Sequence, residues 1–153
     1  MTAPRLQRNE LVGMGAGALL AVAVFLAWYA TSANNPNSTI DGERGSFSAW
    51  EIHPILRWLL LLAALAPFIL AWIIARGHAL TWRPGEVTMI VGMTAFVLIF
   101  LNGIILGKPG GPDSEIELKI GWYIGLLGSA GICAAGVLRQ AEQARDRKPP
   151  GVL

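Results

Sequence analysis

A chain of 153 residues has room for one compact unit, and a net charge of +2 without a basic patch interleaved with aromatics excludes a nucleic-acid surface. Hydrophobic residues make up 54% and charged residues 14%, against about 45–50% and about 25% in ordinary soluble domains. The excess is collected in four long runs, which is the arrangement of membrane spans and not of one large soluble core.

The first run covers residues 11–30, without a charge, after Arg5 and Arg8. About 20 residues rising about 1.5 Å each cross a hydrocarbon core of about 30 Å. Trp28-Tyr29 then reads as an interfacial aromatic pair closing the span. A signal peptide is the rival reading, from the basic start, the apolar stretch and small residues near Ala33. The stretch is long for that, and Gly13, Gly17 and Ala21 form a small-residue ridge suited to helix packing, so a retained span is preferred.

Residues 31–47 form a polar loop rich in Asn, Pro and Gly, where little regular structure is expected. At its end Ser48 followed by Glu51 predicts a capping box, with Phe47 and Ile52 placed to staple the turn. The second span takes residues 54–75, either with Pro54 at the first helical position or with a kink there. Pro67 falls within it. After a short connection with Arg76 and Arg83, the third span takes residues 87–107, with Asn102 the strongly polar side chain inside it and Gly103 and Gly107 spaced for close helix approach. Residues 108–119 make a second, shorter loop with Asp113, Glu115 and Glu117. The fourth span takes residues 120–138, with Trp122-Tyr123 as an aromatic anchor and Gly121 and Gly125 on a packing face. Residues 139–153 form a polar tail.

The expected fold is therefore an all-α integral membrane protein, a four-transmembrane-helix bundle. Eight basic residues fall on the side of the termini and four on the side of the two polar loops, so the positive-inside rule puts both termini in the cytoplasm and the loops outside a cell membrane.

Candidate chemistry concentrates at Glu51, His53 and Arg57, between Trp50 and Trp58. Histidine changes charge near neutral pH, and His53 and Arg57, four apart, can share a helix face, whereas Glu51 is engaged as the capping residue. Arg57 is expected to snorkel outward or to pair with a loop acid. Asn102 is expected to hydrogen-bond across helices. The acids of the second loop lack calcium-loop spacing, His78 and Cys133 lack metal-ligand partners, and there is no nucleophile, P-loop or dinucleotide motif. No catalytic, cofactor or metal role is expected. The reading is a non-enzymatic accessory or assembly subunit, or a small oligomer, associating by helix packing through the glycine faces of the first and fourth spans, among membrane lipids and other membrane-protein subunits. The alternative is a small transporter, channel or ligand sensor whose outward polar site is Glu51, His53 and Arg57.

Phe25-Leu26-Ala27-Trp28-Tyr29 and Ser48-Ala49-Trp50-Glu51 resemble motifs of a group of uncharacterised small four-span membrane proteins of actinobacteria. The resemblance covers mainly the first 75 residues and implies membrane location and four-span topology, with no activity attached. The loop layout is also similar to claudin-type tetraspans, but their first-loop tryptophan and cysteine pair is absent.

Overall fold

The computed structural model describes residues 6–78 and 80–146. Arg5, Arg147 and Lys148, and the tail beyond them, lie outside the described residues. The chain is mostly helical, and four helices are long and apolar enough to cross a membrane: Arg8–Phe25, Leu56–Ala75, Pro84–Ile105 and Ile120–Arg145. We label the elements α1 (Arg8–Phe25), β1 (Ala27–Thr31), β2 (Ser46–Ser48), α2 (Ala49–Ile52), α3 (Leu56–Ala75), α4 (Pro84–Phe100, continuing as a π-helical turn over Leu101–Ile105), β3 (Ile116–Leu118) and α5 (Ile120–Asp146).

The expectation of an all-α chain is corrected by a three-stranded antiparallel sheet in the order β2-β1-β3. The first helix stops at Phe25, not at Ala30. Leu26 turns extended, and the Ala23 carbonyl in the last turn accepts both from the Leu26 amide and, at 2.7 Å, from the Trp28 indole. Ala27–Thr31 then runs as the central strand, bulged between Ala27 and Tyr29. Aromatic and β-branched residues suit a pleated, half-buried surface, and here both loops supply cross-strand partners. Trp28 and Tyr29 are fully buried, as is Trp122 apart from 3% of its surface, so none of the three is an interfacial anchor.

The long first loop is ordered. Asp41 and Gly42 both take positive φ, and Ile40 and Glu43 exchange both backbone hydrogen bonds around them, a tight two-residue hairpin. The loop is stitched to the second one: the Glu115 amide donates to the buried Ser38 hydroxyl at 2.8 Å, and the Ser114 hydroxyl donates to the Thr39 carbonyl at 3.0 Å. Sheet and stitched loops together form a cap over one end of the bundle.

The capping box forms as read. The Glu51 amide donates to the Ser48 hydroxyl, and the Ser48 amide donates to the Glu51 carboxylate at 2.7 Å. Its helix α2 lasts one turn. His53 is non-helical and caps the end of α2, while its carbonyl accepts from the Arg57 amide; Pro54 lies in the turn between the two helices, ahead of the α3 cap at Ile55, and is neither the first helical residue nor a kink within one helix. Pro84, by contrast, opens α4 at its first position.

In the bundle α5 lies between α1 and α4, while α3 packs on α1 and only lightly on α4. Small residues let the backbones approach. A Cβ at Gly17 would strike the Ala64 carbonyl, one at Gly92 the Cys133 amide and one at Gly136 the Met89 amide. Gly13 lies against Ala135 and Pro67, Gly103 accommodates Trp122, and Gly121 and Gly125 accommodate Trp28. Gly107 departs from the packing role expected of it. Its φ is +85° with open space around it, so it ends the helix as a left-handed turn residue.

These contacts predict that Gly92→Ala destabilises the protein by about 1–3 kcal/mol, the usual cost of overpacking. Gly15→Ala, where a Cβ meets nothing within 4 Å, should be neutral or stabilising by about 0.5–1 kcal/mol. Unfolding of the two variants in mild detergent measures the difference.

Candidate functional site

The three residues at the α2–α3 junction do not form one site. Glu51 is exposed and committed to the Ser48 cap, whose backbone and side-chain hydrogen bonds hold its carboxyl below the usual carboxylate range. His53 turns inward and Arg57 turns along the junction, because the break at Pro54 removes the helical register that would have put them on one face.

His53 joins Tyr29 and Asn102 in a chain of hydrogen bonds. The Tyr29 hydroxyl donates to the Asn102 backbone carbonyl at 3.0 Å, and His53 Nε2 lies 3.0 Å from the same hydroxyl. That carbonyl is free to accept because it lies in the last turn of its helix. A tyrosine hydroxyl has one proton and a carbonyl has none, so the proton on Tyr29 goes to Asn102. Nε2 of neutral His53 must then carry a proton and donate to Tyr29, which leaves Nδ1 as an acceptor. Nδ1 bonds to none of the described residues. The imidazole also stands edge-on to Trp28 and Tyr29, with ring centroids 6.2 and 5.7 Å away. Burial pushes the Tyr29 phenol up to about 12 and holds His53 below its ordinary value, so both groups are neutral near pH 7.

Asn102 was expected to bond across helices with its side chain. Instead Nδ2 donates to Leu98 of its own helix at 2.8 Å, and the backbone carbonyl makes the cross-element bond. Arg57 neither snorkels nor meets an acid. Its Nη1 donates to the Trp50 carbonyl at 2.8 Å, and the guanidinium lies 4.5 Å from the Trp50 ring centroid and 5.8 Å from that of Trp58. The two indoles meet edge to face, so cation and rings form one aromatic clamp at the junction.

A second polar cluster, which the sequence pattern does not single out, lies at the opposite end. Arg139 of α5 pairs with Glu10 of α1 at 2.5 Å with both side chains nearly buried, and Glu10 also accepts from the Gln7 amide. Asn9 and Thr88 are buried beside them. Opposite charges flanking the first and last runs were the available signal, but sequence spacing does not say which flanking residues turn inward.

Among the hollows that the described residues line, two lie at or near the capped end. One, of about 610 Å³, runs beside the free edge of β3, where Lys108 Nζ occupies the Ile116 carbonyl. The other is a cleft between α3 and α4, in two adjoining parts of about 330 and 290 Å³. Among the described residues no three His, Cys, Asp or Glu side chains converge on a point. Neither the known family models nor the curated proteins nor the solved structures contain a match to this chain.

The hydrogen-bond chain predicts that Tyr29→Phe costs about 1–3 kcal/mol, because it strands the Asn102 carbonyl and His53 Nε2 without partners. It also sets a pH dependence. The folded pKa of His53 lies below its unfolded value of about 6.5. Between the two the unfolded chain binds the extra proton, so stability is full above pH about 6.5 and declines as pH falls toward the folded pKa. Thermal unfolding from pH 7 to pH 5 should show this decline in the native chain and a flatter profile in His53→Gln, which keeps a donor to Tyr29 without titrating.

Proposed function

We propose that this chain is a non-enzymatic multi-pass protein of the cell membrane, with both termini cytoplasmic and the sheet-bearing cap outside, acting as an accessory or assembly subunit or a small oligomer. The excess of basic residues on the side of the termini supports the orientation. The resemblance to small actinobacterial four-span proteins agrees with the location. The close approach of α1, α4 and α5 through small residues favours a scaffold over a transport path.

The observation that carries the reading is how the helix faces are allotted. The glycine faces of α1 and α5 are turned into the bundle, so association through them is closed. By contrast α3 presents Trp58, Leu65, Ile69 and Trp72 to the outside over its whole length. A neighbouring transmembrane helix, from another subunit or a second copy, is the partner for that face.

A photo-crosslinking amino acid at Leu65 or Ile69 in native membranes should give protein adducts of defined mass. The same probe at Val22 or Leu127, exposed on α1 and α5, should give lipid adducts alone. Identical lipid-only labelling at all four positions would overturn the proposal. The ligand-sensor reading keeps one supporting observation, the unpartnered His53 Nδ1, and loses Glu51 and Arg57, which are engaged elsewhere.

A further inference from the structure

We infer that the α3–α4 cleft is a binding site for one lipid chain bearing a hydroxyl headgroup, held by the acceptors at its capped end. The two parts of the cleft share Leu59 and Leu98 and are therefore continuous. The inner part is lined by Leu62, Ala63, Ile90 and Thr94, with the Thr94 hydroxyl the lone polar side-chain group among all the residues that line it. Small side chains at Ala63 and Thr94 keep it hollow, while α1–α3, α1–α5 and α4–α5 close directly on one another.

From Ile90 to Asn102 the helix rises about 18 Å, close to the depth of one leaflet, about 15 Å of hydrocarbon. The cleft thus runs the length of a single chain of one leaflet and no further. A second transmembrane helix fits it poorly, since it would have to bury the polar end as well. At that end the lining changes to His53 and Asn102.

The chemistry of the end selects the headgroup. His53 Nε2 is spent on Tyr29 and Asn102 Nδ2 on Leu98, which leaves His53 Nδ1 and Asn102 Oδ1 without partners among the described residues. Both are acceptors, so they call for a donor. No carboxylate lines that end, so nothing there balances the charge of an ammonium. A neutral hydroxyl satisfies the site, and the apolar remainder follows the cleft.

The test uses the full chain in phosphatidylcholine nanodiscs and a photoactivatable oleyl alcohol with a mid-chain diazirine, its adducts mapped by mass spectrometry. Labelling should concentrate on residues 59–63 and 90–98. Unlabelled oleyl alcohol should compete about tenfold better than its methyl ether, the scale of one hydrogen bond in a dry site. Thr94→Phe, at an exposed position of the cleft wall, should abolish the labelling, and His53→Ala should remove the preference for the alcohol while labelling persists. Labelling spread evenly onto Val22 and Leu127, equal competition by alcohol and ether in the native chain, or undiminished labelling of Thr94→Phe would each overturn the inference.

Discussion

The structure depends on one side chain more than on any other, the indole of Trp28 lying across the glycines of α5. It does three things from one place. Its Nε1 closes the end of α1 on the Ala23 carbonyl, its backbone carbonyl accepts from the Lys119 amide where α5 begins, and its ring occupies the space left at Gly121 and Gly125. A Cβ at Gly121 would stand 2.6 Å from the ring, so glycine there is a condition of the arrangement. It also stands at the bulge of β1, directly before Tyr29, whose hydroxyl meets His53 and Asn102. First helix, last helix, sheet and polar chain are therefore coupled through one contact.

The four apolar runs were legible in the sequence because hydrophobic run length is a direct consequence of the span it serves, but their limits were not: α1 stops at Phe25 short of Ala30, α4 begins at Pro84 ahead of residue 87, and α5 continues past residue 138 to Asp146. The Ser48–Glu51 pair marked a helix start that local chemistry explains, whereas Gly107, spaced for packing, ends a helix. The sheet was hidden because a stretch such as Ala27–Thr31 is apolar enough to continue a helix, and only partners from residues 46–48 and 116–118, distant in the chain, make it a strand. The stitched loops were hidden for the same reason. Ser38 and Ser114 look like ordinary loop residues until Thr39 and Glu115 are brought to them.

The polar residues illustrate a different limit. Spacing grouped His53 with Arg57, but the break after Ile52 sends them apart, and His53 finds partners 24 residues upstream and, through Tyr29, at Asn102. By its apolar neighbours in sequence Tyr29 resembles an interfacial anchor, whereas burial makes it the relay between the two. The small-residue ridges of α1 and α5 meet other helices of the same chain, and spacing alone does not distinguish packing within a chain from packing between chains. That distinction moves the surface proposed for association from the glycines to the outward face of α3.

A double-mutant cycle between Trp28 and Gly125 tests the coupling most directly. Trp28→Ala, Gly125→Leu and the pair are compared by reversible unfolding in mild detergent. A leucine at residue 125 collides with the indole in the native chain and fills the vacated space in the Trp28→Ala background. The cost of Gly125→Leu should therefore be smaller there, with a coupling of about 1–3 kcal/mol. Equal cost in both backgrounds would contradict the placement of Trp28 across α5, and with it the coupling of sheet to bundle.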